Sequence, residues 1–386
     1  MKVSQEDIAY EIFSWLPAKT ICKFKLTCSL FSQFLEESHF KTKQSCNLLG
    51  KSDTCFFLQH DQISQRYQKR IELHHLSKQH FSGVPNNVMT FLSNSTCVVA
   101  SSNGLLLCYT IDYPVELFIF NPITKSCFFI PTPESLRNNH RFSNINLMLN
   151  CSHGSSDDYL IFYFENTMEW SPTSYVCNIY HGKEGVWKTM ANNFFCGGRN
   201  MKFDMQVVHN ESLHFISDCS NYFARSSPFY KPYIMSYNFE KGTSTMIKLP
   251  REAIKGFHVD CNMGIFNWGK VTDSNNSICL VKSRKSIFTI WYLKDYKSCS
   301  WRKILRVRVK ALGLEEKDAR VTGFTVMNGN ILVFSTEHKI YSCGLDEETF
   351  MMVTEIGSHN CGFCPQFISY SNTLRSCGAN DKTMSC

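Results

Sequence analysis

Short apolar runs alternate with polar turns through most of this 386-residue chain, the pattern of β-strands joined by tight connections. Around residue 103 it reads SSNGLLLCY and then ELFIFNPITKSCFFIPTP: two strands about a tight turn, a third strand, and a polar turn into a fourth that ends in proline. The pattern returns as HNESLHFIS with YIMSYNFEKGTSTMIKLP, as DSNNSICLVK with FTIWYLKDYKSCSWRKI, and as MNGNILVFS with KIYSCGLDEETFMMVTEI. Weaker copies are DYLIFYFEN with TSYVCNIYHGKEGVWKTM, and TCFFLQHDQ with KRIELHHLS. Each of the first four copies carries an Asn-containing turn, where Asn or Gly accepts a positive φ. A small antiparallel sheet cannot hide both faces alone, and about six such units, irregularly spaced, predict the blades of a β-propeller, whose repeats run to roughly 40–50 residues with four strands. CGFCPQFISYSN, near the C-terminus, is placed to lend a strand back to the first blade.

The first 40 residues follow a different period. Ile8, Ile12 and Leu16 recur every four residues, one face of a short helix that Pro17 should end at Leu16, with Ser4 as its N-cap. A second helix is expected from near Thr20, its apolar side formed by Ile21, Phe24, Cys28, Phe31 and Phe34. Two short amphipathic helices bury little by themselves, so their apolar face must meet either the propeller, as a cap, or another protein, as a handle. The expected fold class is therefore mainly β: a small helical head over 1–45, a propeller-like domain over 46–370, and a flexible tail over 371–386.

Composition narrows the setting. Hydrophobic residues make up 43%, enough for a large core, and no apolar run at the N-terminus or elsewhere is long enough for a signal peptide or a membrane span. Cytoplasmic or nuclear placement, with no membrane partner, is the expectation. The 19 cysteines are odd in number and scattered within apolar runs, as reduced core thiols would be. The sequon triplets at Asn94, Asn150, Asn210 and Asn275 then carry no glycan. A net charge of +7, spread along the chain, is a weak sign of acidic partners and does not indicate nucleic acid.

Phosphate-binding loops, HExxH and nucleophile elbows are missing from the sequence, and no cofactor or metal is expected. The Cys361–Cys364 pair in CGFC has no second ligand pair to complete a zinc site, and reads as structural. His74 and His75 alternate across a strand; KSRK (282–285) and RVRVK (306–310) read as solvated positions; Trp187 and Trp301 read as core between blades. A propeller hydrolase would need clustered carboxylates, and only Asp157 with Asp158 stand together.

Two resemblances sharpen this picture. SSNGLLLCYTIDYPVELFIFNPITKSCFFIP is similar to the opening signature of the plant F-box-associated domain, a Ser-x-Asn-Gly-Leu element before an Asn-Pro-x-Thr turn. SNNSICLVKSRKSIFTIWYLKDYKSCSWRKI resembles its late signature, with Ile290, Trp291 and a Ser-Trp pair. The likeness covers residues 90 to 357, and that family is related to kelch-type propellers. The head, DIAYEIFSWLPAKTICKFKLTCSLFSQFLEESHF, resembles an F-box, although the usual Leu-Pro start falls on Ser4 and Gln5 and a usual Trp is Phe31.

These resemblances imply a non-catalytic substrate receptor of an SKP-cullin-F-box ubiquitin ligase. The head would dock an SKP-type adaptor, and through it a cullin, by Ile8, Ile12, Leu16, Pro17, Ile21, Phe24, Cys28 and Phe31. Each side chain buried in such a contact stabilises it by ~1.5–3 kcal/mol before ordering costs, and a few dominate. The propeller would hold an unknown target protein. The competing expectation is a ligand- or glycan-binding propeller with a vestigial helical cap, which loss of residues 1–45 would destabilise.

Overall fold

The computed structural model describes residues 5–24, 29–49, 53–60, 71–76, 84–111, 114–137, 146–151, 158–166, 173–220, 223–257, 261–269, 276–316, 319–346, 352–362, 364–378 and 382–383. It divides into two compact units. One gathers residues 1–162, 179–188 and 368–386, and the other 163–178 and 189–367. The helical head belongs to the first unit together with the first blades.

The fold is a six-bladed β-propeller with helices at its N-terminus. Blade one holds Cys55–Gln59 and Ile71–His75, and the C-terminal strand Gln366–Tyr370 completes it on the other side of Cys55–Gln59. The expected return of PQFISY to the first blade is thus observed. Blade two is Thr96–Ser102, Leu105–Thr110, Leu117–Asn121 and Ser126–Ile130, with Lys382–Thr383 on its outer edge. Blade three is Leu147–Asn150, Leu160–Asn166, Ser174–His181 and Val186–Thr189, with Phe194–Phe195 pairing its third strand.

Blade four is Met201–His209, Ser212–Ser217, Ile234–Asn238 and Thr243–Ile247. Blade five is Cys261–Trp268, Ser277–Arg284, Ile287–Asp295 and Ser300–Arg308. Blade six is Gly323–Met327, Ile331–Ser335, Lys339–Gly344 and Val353–Ser358. Every repeat copy read from the sequence is a blade.

Turn chemistry sets this pattern. Asn103 with Gly104, Asn210 with Glu211, and Asn328 with Gly329 all take positive φ between the first two strands of their blades, where asparagine and glycine meet the least resistance. The long apolar run ICLV in blade five follows from burial on both sides: Ile278 and Leu280 enter one core with blade four, while Cys279 and Val281 enter another with blade six. Trp187 and Trp301 differ from expectation. Both are half-buried rim residues, whose indole N–H donates to the Pro131 carbonyl at 2.6 Å and the Lys248 carbonyl at 2.9 Å respectively, so each staples the outer strand of one blade to the end of the preceding blade.

The head has four helices rather than two: α1 Gln5–Phe13, α2 Ala18–Phe24, α3 Ser29–Glu36 and α4 Ser38–Asn47. α1 stops three residues before Leu16, closing in a tight turn with Leu16 N–H donating to the Phe13 carbonyl at 3.0 Å. Pro17 sits just ahead of α2, where its missing N–H costs nothing. The expected N-cap, Ser4, lies outside the described residues. Ala18, Ile21, Phe31, Phe34 and Phe40 form the head's core, with the Phe34 and Phe40 rings stacked at 5.2 Å and Phe31 edge-on to Phe13 at 4.3 Å.

Residues 371–378 are not a loose tail. Asn372, Thr373, Leu374, Arg375 and Cys377 are buried, and Leu374 is a member of the head's core. No helix among the described residues is long and apolar enough to cross a membrane.

Candidate partner-binding surfaces

The head is seated on the segment that follows the closing strand. The Ala18 and Lys19 backbone N–H groups donate to the carbonyl and side-chain oxygens of Asn372, each at 3.1 Å. Gln44, wholly buried, donates from Nε2 to the Leu16 carbonyl at 2.9 Å. The seat itself is built by the two turns that open the repeat signature in blade two. Asn121 donates to the carbonyls of Thr373 at 3.1 Å and Arg375 at 2.7 Å while its Oδ1 accepts the Ile123 N–H at 2.9 Å. Thr373 Oγ1 donates to the Asn103 carbonyl at 2.8 Å, and Gly104 leaves the room: a Cβ there would lie 2.0 Å from Thr373 Oγ1. Ile123, in the turn that Asn121 opens, packs against the head.

With one side seated, the head offers another to solvent. Ile8, Ile12 and Trp15 are 50%, 56% and 48% exposed, and their spacing of four and three residues sets them in one stripe along α1 and its last turn. Phe24 is exposed at the end of α2, stacked on Phe31 at 5.2 Å. Of the other residues implied for adaptor docking, Leu16 and Pro17 are half-buried, Ile21 and Phe31 lie within the head's own core, and Cys28 is outside the described residues. Trp15 was missed in the sequence, although its place seven residues after Ile8 could have found it. Glu11, beside the stripe, forms an ion pair with Lys43 of α4, which holds its carboxyl below the usual range.

A cleft of about 490 Å³ opens at one edge of blades four and five, among His209, Trp268, Asn276, Tyr292, Lys294 and Tyr296. The Trp268 and Tyr292 rings are stacked nearly parallel, their centroids 5.8 Å apart and their planes inclined by 9°. Tyr296 is fixed from behind: its hydroxyl is 2.9 Å from His214 Nε2 and 2.9 Å from Ser236 Oγ. Burial lowers His214 to about 4 and also lowers His209, whose ring is hydrogen-bonded by Asn276. Both imidazoles are neutral at pH 7, so Lys294, exposed at the rim, is the formal charge among these lining groups. Flat aromatic faces with scattered polar groups suit a peptide segment or another ligand with apolar rings or stems. The sequence could not foretell the cleft, because turns of two blades make it.

Other residues singled out in the sequence have structural work. His74 stacks on Phe56 at 5.6 Å and contacts Glu72 at 3.1 Å. Cys361 is buried with its N–H donating to His359, whereas Cys364 is exposed, and among the described residues no three His, Cys, Asp or Glu side chains come together as a metal site. Arg306, Arg308 and Lys310 are solvated as expected. Lys282, expected in solvent, is instead buried, with Nζ donating to the Ala253 and Lys255 carbonyls at 2.6 and 3.0 Å. Asp158 spends its carbonyl on Arg375 at 2.9 Å, and Asp157 lies outside the described residues.

Six blades closed by a C-terminal strand, carrying a helical head, define a β-propeller with an N-terminal helical appendage. The family described as "F-box protein At3g26010-like, beta-propeller" matches residues 55–376, and the chain belongs to that family. The match includes the seat and leaves the head outside it. No curated protein is detectably similar to the chain. Among solved structures it is similar to the Dos1 propeller, at 9% identity and a TM-score of 0.37 over 76% of this chain and 66% of that one. It is also similar to an α-L-arabinanase of Penicillium chrysogenum complexed with arabinobiose, at 10% identity and a TM-score of 0.39 over 70% and 88%. A GH93 α-L-arabinofuranosidase of Fusarium graminearum gives 10% and 0.38 over 66% and 78%.

Proposed function

We propose that this protein is the substrate receptor of an SKP-cullin-F-box ubiquitin ligase, with the head docking an SKP-type adaptor and the propeller holding a target protein. The observation that carries this reading is the exposed apolar stripe Ile8, Ile12 and Trp15, with Phe24 nearby, on a head whose own core is already filled. Membership of a family of F-box propellers supports a recognition role without catalysis. The anchors are then Ile8, Ile12, Trp15 and Phe24, flanked by Leu16 and Pro17, while Ile21 and Phe31 act by shaping the head. The aromatic cleft is the target's site in this reading. The receptor contributes effective concentration, bringing a target lysine near a charged ubiquitin-conjugating enzyme.

A second reading, a ligand-binding propeller whose head is only a cap, is favoured by the seat on Asn372 and Leu374. Removal of residues 1–45 does not separate the two, because it strips Gln44 and the head's core from the seat under either. The deciding experiment is reconstitution of the full-length chain with an SKP-type adaptor. A stable complex with the folded chain is expected; a folded chain that binds no adaptor leaves the cap reading standing alone.

A further inference from the structure

Three cationic side chains meet between blades four and five without a counter-charge. Lys282 and Arg284 stand two residues apart on the second strand of blade five, so both project to the side of Ile278 and Leu280, which face blade four. Their heads reach consecutive residues of the connection between the two blades. Lys282 Nζ donates to the Ala253 and Lys255 carbonyls, and a Cβ on Gly256 would lie 2.4 Å from Arg284 Nη1, so the guanidinium rests against bare backbone. Lys202 enters from blade four, its Nζ donating to Asn262 Oδ1 and, at 2.8 Å, to the Met263 carbonyl. Asn262 and Met263 are the register partners of Ser283 and Lys282, which brings the third cation onto the strand next to theirs, a spacing of ~5 Å.

Carbonyl and amide oxygens accept hydrogen bonds, but they carry no formal charge. Among the described residues none of the three cations is ion-paired, and carboxylates of the flanking segments are taken: Asp218 by Arg199 at 3.1 Å and Glu252 by Lys303 at 3.0 Å. Arg284 Nε is buried and has no hydrogen-bond partner, although an enclosed N–H without an acceptor is costly. Lys282 is 8% exposed, and an enclosed cation without an anion is costlier still. Arg284 and Lys202 are half-buried, which leaves the group open to solvent above Lys282.

We propose that Lys202, Lys282 and Arg284 bind a phosphate group in the space between blades four and five. Three unbalanced positive charges suit a group that carries nearly two negative charges at neutral pH. Its oxygens also suit the donors left over. The edge of the Arg284 guanidinium that carries Nε–H can pair with two oxygens at once, and each lysine, having spent two N–H groups, has a third to give. A carboxylate brings one charge and would leave two cations unanswered. Free phosphate and a phosphorylated side chain present the same chemistry, and the site stands whether or not the head docks an adaptor.

The test is titration of the full-length protein with sodium phosphate, balanced by sodium chloride to constant ionic strength, read by thermal shift and by the arginine Nε–H signals in proton–nitrogen correlation spectra. A saturable rise in unfolding temperature is expected, with one Nε–H signal, absent from Arg284→Gln, moving along the same curve. Arg284→Gln and Lys202→Met should each weaken binding about tenfold, whereas Arg306→Gln, on the outer strand of blade five, should leave it unchanged. N-acetyl-phosphoserine amide in place of phosphate separates the two sources: binding tighter by about tenfold assigns a phosphorylated side chain, and equal or weaker binding a free anion. Full-strength phosphate binding by Arg284→Gln would overturn the proposal. So would a parent protein with no saturable response at millimolar phosphate, a result that decides even if a variant fails to fold.

Discussion

Gln44 of the helical head and Leu374 of the C-terminal segment are joined side chain to backbone: Gln44 Oε1 accepts the Leu374 N–H at 2.9 Å in a fully enclosed setting. Because the same amide group serves the Leu16 carbonyl through Nε2, Gln44→Ala orphans a buried donor and a buried acceptor at once. A loss of ~1–3 kcal/mol per orphaned group is expected, read as a lower urea midpoint with an unchanged slope.

Exposed and enclosed isoleucines of the head should separate grip from stability. Ile12→Asp, at a site 56% exposed, is expected to abolish adaptor capture and leave thermal unfolding within about 0.5 kcal/mol of the parent. Ile21→Ala, at a fully buried site, should cost ~2–5 kcal/mol. Equal thermal losses in the two variants would contradict the assignment of faces.

The cleft can be probed independently of the head. Lys294→Glu and Trp268→Leu should each weaken target capture by about tenfold, or ~1.4 kcal/mol, with adaptor capture unchanged in the same extract. If target capture survives both substitutions, the target sits elsewhere on the propeller.

Stability should fall on mild acidification because of His214. Its folded value of about 4 lies below the ordinary 6.5, so between these limits the unfolded chain holds the extra proton. The stabilisation is therefore complete above pH 6.5 and is lost as pH falls toward 4, with a slope approaching ~1.4 kcal/mol per pH unit. Urea midpoints between pH 5 and 7 should show this slope in the parent and a flatter one in His214→Gln.

Gly104 is the strictest position of the seat. With φ at +83° and Thr373 Oγ1 only 2.0 Å from where a Cβ would stand, Gly104→Ala must displace the 371–373 segment. A loss above ~1 kcal/mol and weaker protection of the Leu374 amide in hydrogen exchange are expected.

The blades were legible in the sequence because strand alternation and the Asn103-Gly104 and Asn328-Gly329 turns are local signals. In blade five too the asparagines of the repeat copy, Asn275 and Asn276, stand ahead of the second strand, Ser277–Arg284, although Asn275 falls outside the described residues. The next turn of that blade, with positive φ at Lys285 and Ser286, carries no Asn or Gly and gave no such signal. Residues 371–378 read as a polar tail because Asn372, Thr373 and Arg375 look hydrophilic; their polar groups are enclosed by partners far away in the chain, such as Asn121 and Gln44. Lys282 was misread for a similar reason, since its ammonium is satisfied by two carbonyls near the end of blade four. The head's apolar periodicity was visible, but which half faces inward depends on Leu374 and Ile123, and no local pattern contains them.

The strand that shuts the ring, Gln366–Tyr370, runs directly into the segment on which the head rests. Opening the ring and unseating the head are consequently neighbouring events, and a partner that binds only the seated head holds the propeller shut by mass action. Copies held by such a partner are expected to outlast copies without one. A pulse-chase of the full chain, with and without co-expressed partner, reads that difference as a half-life.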